Sequence, residues 1–167
     1  RDTGTMLLEL YKKIIVQYAD IGGGDLGLTP TVGEPLADKF IIERIKFARS
    51  FKEIKKIGFY TNLISLGRFD LKDFVNSGVT NLVISTSGFD KDMYKRVYRS
   101  NEYTRMYNNL TNLLLENLNS GNPIDIEVDM RTDKTLNETI NFSDYKKLLQ
   151  YLPANKFGCK FRYDDWA

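Results

Sequence analysis

The chain has 167 residues, 42% of them hydrophobic, and its 24 basic and 22 acidic side chains leave a formal net charge of +2. That length supports one sizeable core, and a charge so near balance, with lysine and arginine spread along the chain, leaves no electrostatic footprint for nucleic acid or an anionic membrane. Histidine is absent and Cys159 is the one cysteine, which excludes Ser-His-Asp and Cys-His catalysis, a zinc or iron–sulfur site built from the chain's own side chains, and a disulfide framework.

No apolar run of about 18 residues and no signal-peptide pattern occurs, so the sequence reads as soluble and cytoplasmic, with no membrane partner. After a polar lead-in, Thr5 is placed to cap a helix carrying Leu7, Leu8, Leu10, Tyr11, Ile14, Ile15 and Tyr18 at helical spacing, and Gly22-Gly23-Gly24 ends it. A phosphate-cradling glycine run follows a strand and opens a helix; here the order is reversed, and the glycines read as a helix-to-strand connection. Residues 26–29 are predicted as a buried strand whose carboxyl end delivers Gly33-Glu34-Pro35. Parallel α/β sheets bind ligands at the carboxyl ends of their strands, which places Glu34 where chemistry is expected.

Asp38 is expected to cap a second helix with Phe40, Ile41, Ile45, Phe47, Ala48 and Phe51 as its apolar face. Residues 57–61 form the next predicted strand, ending in Thr61-Asn62, and Asp70 caps a short helix over 71–76 closed by Gly78. A buried strand over 81–86 ends in Ser85-Thr86-Ser87-Gly88, after which Asp90 caps 91–97 and a longer helix spans 103–118 with Met106, Leu110, Leu113, Leu114 and Leu118 inward. The segment 124–130 alternates strictly, with Ile124, Ile126, Val128 and Met130 on one face and Asp125, Glu127 and Asp129 on the other, so one face of that strand is polar. Residues 132–141 read as loop, Ser143 as the cap of a last helix ending at Leu152, and 155–167 as a mixed aromatic and charged stretch without a period. Repeated strand–helix alternation specifies right-handed crossovers and an α/β fold, either a partial parallel (β/α) barrel or an open parallel sheet with helices on its outer face.

Three strand ends in order carry a family resemblance: Thr31-Val32-Gly33-Glu34-Pro35-Leu36, Phe59-Tyr60-Thr61-Asn62-Leu63, and Val83-Ile84-Ser85-Thr86-Ser87-Gly88-Phe89-Asp90-Lys91 through Tyr94. Together they resemble the radical S-adenosylmethionine (radical SAM) superfamily over residues 1–133. The first is similar to its Gly-Gly-Glu motif with Val32 for the first glycine, and the second to its Thr-Asn-Gly strand ending with Leu63 for the glycine. The third resembles members that carry a C-terminal SPASM-type auxiliary-cluster domain. The family's three cluster cysteines, Cys-x3-Cys-x2-Cys, would fall just before the first helix. The resemblance therefore implies that this is an internal piece of a longer enzyme, with residues 1–152 as a partial barrel core and 153–167 as the start of a truncated extension. Such a piece is not expected to catalyse alone.

The resemblance implies S-adenosylmethionine and a 4Fe-4S cluster as cofactors, the cluster's ligands lying outside this chain. The methionine part of S-adenosylmethionine would chelate iron through its amino and carboxylate groups, and its reductive cleavage would give a 5′-deoxyadenosyl radical that abstracts hydrogen from an unknown substrate, a peptide or a small metabolite. By the same resemblance Gly33 and Glu34 would receive the methionine ammonium, Ser85 and Ser87 the ribose or carboxylate, and Thr61 and Asn62 stand in the same relation to their strand. Alternatives stay open at each: Glu34 can cap or salt-bridge locally, the serines can bond their own turn, and Arg131 can reach the carboxylate or pair with its neighbouring acids. Tyr94, Tyr98, Tyr103 and Tyr107 read as packing, Arg96 and Arg99 as solvated, and Cys159 as an auxiliary-cluster ligand or a buried thiol. The competing function is a non-catalytic α/β binding or scaffold domain derived from the same fold. A doubly wound nucleotide-binding domain would require a glycine-rich strand-to-helix turn that the sequence lacks.

Overall fold

The computed structural model describes residues 4–160; residues 1–3 of the lead-in and 161–167 of the aromatic and charged stretch lie outside the described residues. Five strands, β1 (Gly24–Gly27), β2 (Ile54–Thr61), β3 (Asn81–Thr86), β4 (Asp125–Arg131) and β5 (Phe157–Lys160), pair in sequential order, every pair parallel. The expected α/β class is thus observed, as an open parallel sheet with β1 and β5 at its edges. Helix α1 (Leu8–Asp20) precedes β1, α2 (Ile41–Arg49) and α3 (Leu71–Val75) follow β1 and β2, α4 (Lys91–Tyr98) and α5 (Tyr103–Asn119) follow β3, and α6 (Leu136–Thr139) and α7 (Ser143–Leu148) follow β4. No helix among the described residues is long and apolar enough to cross a membrane.

Sequential strand order with right-handed crossovers puts every helix on one face of the sheet. That face carries Ile57, Phe59, Leu82, Ile84, Ile126, Val128 and Met130, all buried. Tyr60, Asp125, Glu127 and Arg131 on the opposite face are exposed, so β4 presents its acids on an uncovered surface, where Lys156 bridges Asp125 and Glu127. Each large aliphatic side chain buried on the helix-facing side contributes roughly 1.5–3 kcal/mol. Phe89, just past β3, is the hub that seats the far edge: its ring meets Tyr107 of α5, Tyr145 of α7 and Phe157 of β5 at centroid distances of 6.3, 6.0 and 5.9 Å. The tyrosine series packs as expected, Tyr94 and Tyr103 forming a second small core with Met106, against which Tyr98 and Tyr107 lie.

Asp70 and Asp90 cap α3 and α4 by accepting from the amides of Asp73 and Met93. Other expectations are corrected. Thr5 and Ser143 cap nothing, because α1 begins after Leu7 and α7 after Phe142 with no side-chain cap. α7 also stops at Leu148, short of Leu152. Leu7, Leu10 and Ile14 are exposed while Tyr11, Ile15 and Ala19 are buried, since α1 packs beside α2 at the edge of the layer and only one of its stripes is covered. Leu118 is likewise 44% exposed. The segment 132–141 is not all loop: Thr135 and Glu138 form a reciprocal capping box that starts α6. Arg96 is tied to Asp133 by two hydrogen bonds at 2.9 and 3.2 Å rather than simply solvated.

β1 lies at 24–27 rather than 26–29. The Leu28 amide still reaches the Gly58 carbonyl, but the next partner of β2 is a side chain, the Tyr60 amide donating to Thr29 Oγ1 at 2.9 Å. The main chain leaves the sheet there, and Pro30 cannot donate to a ladder.

Gly58 of β2 faces Asn81 across the β2–β3 pair, and a Cβ at 58 would stand 2.7 Å from the Asn81 carbonyl oxygen. Gly58→Ala is therefore expected to destabilise the chain by about 1–3 kcal/mol. Gly27→Ala, where a Cβ meets nothing within 4 Å, is expected to stay within about 0.5 kcal/mol of the parent. Urea unfolding of the two variants checks the contrast.

Candidate functional site

Glu34 follows Gly33, whose φ of +129° is open to glycine and strained for other residues. Its half-buried carboxylate is held from three sides. Oε1 accepts from Thr61 Oγ1 at 2.6 Å and from the Leu36 amide at 3.1 Å, and Oε2 accepts from the Asn62 amide at 2.8 Å. One side chain therefore caps the Pro35–Ala37 turn and ties the loop after β1 to the end of β2. A carboxylate oxygen has two acceptor positions, so Oε2 keeps one for a further donor.

The end of β2 is itself tightly built. Thr61, 2% exposed, accepts the Leu63 amide at 3.0 Å on the same hydroxyl that donates to Glu34. Asn62 Oδ1 accepts from the Ile64 amide, and Asn109 of α5 donates to the Leu63 carbonyl at 2.7 Å. Leu63 is fully buried and sits at φ +61°, in the left-handed region that glycine enters freely. Leucine in place of glycine here is a strained residue held by the burial of its side chain. Val32 imposes no such strain: it is 90% exposed and does not have a positive φ.

A cleft of about 600 Å³ opens beside this turn, with Gly33, Glu34, Asp38 and Arg44 on its lining and Gly4, Thr5 and Met6 along one wall. Asp38 does not cap α2, which begins at Ile41; its Oδ1 accepts from the Phe40 amide, and its Oδ2 lies 2.6 Å from Arg44 Nε. Arg44, 4% exposed, also donates through Nη2 to the Met6 carbonyl and lies over the Tyr11 ring, 4.8 Å from its centroid. The Tyr11 hydroxyl donates to the Arg44 carbonyl at 3.1 Å. One guanidinium thus joins the lead-in, α1, the β1 loop and α2. Sequence reasoning missed this assembly, because Arg44 falls on the apolar stripe of α2 and only its place among Ile41, Ile45 and Ala48 signalled burial.

Of the sequence-predicted residues, Glu34, Thr61 and Asn62 are brought into one hydrogen-bonded unit, and Gly33 precedes Glu34 on the cleft lining. Ser85, Ser87 and Arg131 lie outside the cleft lining. Ser85 is half-buried and in register with Asp129 of β4, and Arg131 is exposed at the end of β4. Ser87 is fully buried, and its Oγ has no hydrogen-bond partner. Among the described residues no group of three or more His, Cys, Asp or Glu is arranged to hold a metal, so no donor set for a cluster is found there. Cys159 on edge strand β5 is half-buried, and burial, reinforced by the charge of Asp129, pushes its thiol up.

A comparison with models of known protein families finds no match. Among curated proteins, an 88-residue stretch is 33% identical to a GTP 3',8-cyclase of Thermodesulfovibrio yellowstonii, covering 51% of this chain and 27% of that protein. The resemblance to the radical SAM superfamily is borne out. Among solved structures, the crystal structure of BtrN in complex with AdoMet and 2-DOIA matches over 93% of this chain and 54% of that one, with 17% identity and a TM-score of 0.48. The chain spans less than two thirds of either relative's length. Of the three bonds to the Glu34 carboxylate, two come from Thr61 and Asn62, so residues from the first two segments on which the resemblance rests are joined.

Two expectations follow. Thr61→Val removes the donor to Glu34 and leaves the buried Leu63 amide without its acceptor, at a cost of about 1–3 kcal/mol in urea unfolding. Burial pushes the Tyr11 phenol up to about 12, against the opposing charge of Arg44. In the unfolded chain that phenol ionises near pH 10, so the stability tied to its neutral form is complete below pH 10 and is lost as pH rises towards 12. Tyr11→Phe is expected to fall less than the parent between pH 9 and 11, read from urea midpoints.

Proposed function

We propose that the chain forms the S-adenosylmethionine-binding side of a radical SAM enzyme, with Glu34 as receptor of the ligand's ammonium. The observation that carries this reading is the Glu34 carboxylate at the mouth of the sheet, fixed by three internal bonds and still able to accept a fourth. The lining of the cleft fits such a ligand in charge as well: its charged side chains are Glu34, Asp38 and Arg44, a net −1, facing a sulfonium, an ammonium and a carboxylate that sum to +1. The bound cofactors supply the radical chemistry, reductive cleavage of S-adenosylmethionine and hydrogen abstraction from a substrate. This chain's residues bind, orient and exclude water.

In this reading Gly33 lets the main chain approach the ligand without a Cβ in the way, and Thr61 with the Asn62 amide hold the Glu34 carboxylate in its receiving orientation. Ser85, at the end of β3, is the ribose candidate in this reading, while Arg131, exposed at the end of β4, and Ser87, buried with its Oγ unpartnered, are set apart from the cleft. The relative's reaction on GTP does not fix the substrate here, since one fold hosts many reactions. The competing reading, a non-catalytic scaffold domain, draws on the lack of a cluster-ligand set among the described residues.

The longer protein, loaded with iron and sulfide under reductant, is expected to release 5′-deoxyadenosine from S-adenosylmethionine; a well-loaded sample that releases none supports the scaffold instead. Glu34→Ala is a poor probe of binding, because it also strips partners from the Thr61 hydroxyl and from the Leu36 and Asn62 amides. Glu34→Gln keeps the shape and removes the charge; its oxygen can still serve Thr61 and Leu36 while its NH2 faces the Asn62 amide in place of Oε2, so a urea midpoint is read beside the affinity. The variant is expected to weaken S-adenosylmethionine binding about tenfold or more by equilibrium dialysis, and unchanged affinity removes Glu34 from the site.

A further inference from the structure

The main core draws on phenylalanine at Phe59, Phe74 and Phe89, whereas the second small core is built on tyrosine. Packing alone is served by phenylalanine, which buries no hydroxyl. The rings of Tyr98, Tyr94, Tyr103 and Tyr107 follow one another across α4 and α5 at centroid distances of 5.1, 5.8 and 5.9 Å. Tyr94 and Tyr103 are 2% and 6% exposed, and Tyr98 and Tyr107 at the two ends are half-buried. The Tyr103 hydroxyl donates to a carboxylate, Asp144 Oδ2 on α7, at 2.8 Å, and Lys147 donates to Oδ1 of the same group at 3.0 Å. The Tyr107 hydroxyl donates to the Asp144 carbonyl at 3.3 Å. Burial, together with the Asp144 bond, pushes the Tyr103 phenol up, while against burial the bonds from Lys147 and Tyr103 hold Asp144 below the usual carboxylate range. At neutral pH the phenol is protonated and its partner is ionised.

We propose that Tyr103 is a redox-active tyrosine, with Asp144 as its proton acceptor and Tyr94, Tyr98 and Tyr107 as the relay that carries an oxidising equivalent to it. The inference does not depend on the ligand assigned to the Glu34 cleft. A phenol gives up an electron readily when its proton leaves with it, and a phenol closed to water needs a protein group to take that proton. In the step, an outer-sphere one-electron oxidant, a high-valent metal complex, takes one electron from a ring at an end of the series. Neighbouring rings refill that ring in turn until the electron comes from Tyr103, whose O–H bond breaks as its proton passes along the 2.8 Å bond to Asp144 Oδ2. The products are a neutral phenoxyl, a neutral carboxylic acid and the oxidant reduced by one electron. The lost negative charge leaves the Lys147 ammonium to water, which its 63% side-chain exposure permits. Phe89, 6.3 Å beyond Tyr107, has no O–H to lose and ends the relay towards the mouth of the sheet. Burial shields the Tyr103 radical from the coupling that consumes exposed phenoxyls.

The test is flash photo-oxidation of the 167-residue chain with ruthenium(III) tris(bipyridine), read by the visible absorption of the neutral phenoxyl and by its electron paramagnetic resonance spectrum. The parent is expected to show a fast-decaying fraction from exposed Tyr60 and a long-lived fraction from Tyr103. Tyr103→Phe, which keeps the ring, and Asp144→Asn, which keeps the shape but takes no proton, should each abolish the long-lived fraction, and Tyr60→Phe should leave it. Urea midpoints report the fold of each variant, and if one of the first two does not fold, the other decides. Tyr94→Phe combined with Tyr107→Phe, which strips the hydroxyls on both sides, should lower the yield of that fraction. A parent without a long-lived fraction, or one whose fraction survives Tyr103→Phe, overturns the proposal. Survival in Asp144→Asn overturns the role of Asp144, and an unchanged yield in the double variant overturns the relay.

Discussion

The Glu34 carboxylate is the constraint on which the mouth of this sheet depends. β1 is short and, among the described residues, lies at an edge and pairs only with β2, and its ladder gives out at Leu28 and Thr29. Beyond that point the loop is positioned by three hydrogen bonds to one side chain, two of them from the end of β2. Bonds to a charged acceptor are stronger than neutral ones, and Thr61 makes its bond from a site closed to water. The same contacts that stiffen the loop leave a single acceptor position free, so structural and binding uses of the carboxylate are compatible.

Arg44 extends that constraint to the helix layer. Its ion pair with Asp38 is buried on both sides, with side-chain exposures of 5% and 15%. Such pairs lose solvation that their attraction only partly returns, and they set geometry more than they add stability. Here the geometry set is that of the cleft wall, since the guanidinium holds the lead-in to α1 against the loop after β1. The strained Leu63 belongs to the same region. Unfavourable backbone persists where packing and hydrogen bonds around it leave no alternative, and here Asn109 and the Thr61 hydroxyl supply them.

How far the sequence could be read depended on the range of the forces involved. β3 spans 81–86 in both the reading and the structure, because it is a short apolar run closed by turn residues. The caps at Asp70 and Asp90 were legible because the contact they make lies three residues away. Asp38 has the same local appearance and was misread, since a partner six residues on, Arg44, claims one of its oxygens. Thr135 to Glu138 looked too polar for structure, yet the capping box that starts α6 is itself polar. β5 could not be seen because its strand character comes from pairing with β4 and from the Phe89 and Tyr145 rings beside Phe157.

By itself, the sequence determined the α/β class, the parallel order implied by alternating strands and helices, and the positions of Gly33-Glu34 in the loop after the first strand and of Thr61-Asn62 and Ser85 at strand ends. These rest on periodicity, capping and turn chemistry, all set within a few residues along the chain. Only the tertiary structure decided which of those residues meet. It joined Glu34 to Thr61 and Asn62 across 27 and 28 residues, sealed Ser87 away from the cleft, left Arg131 on the far side of the sheet, and brought in Arg44, which no motif marked. The reason is physical: a hydrogen bond or an ion pair between distant residues exists only once packing has brought both ends together, and nothing in the local pattern of either residue records it.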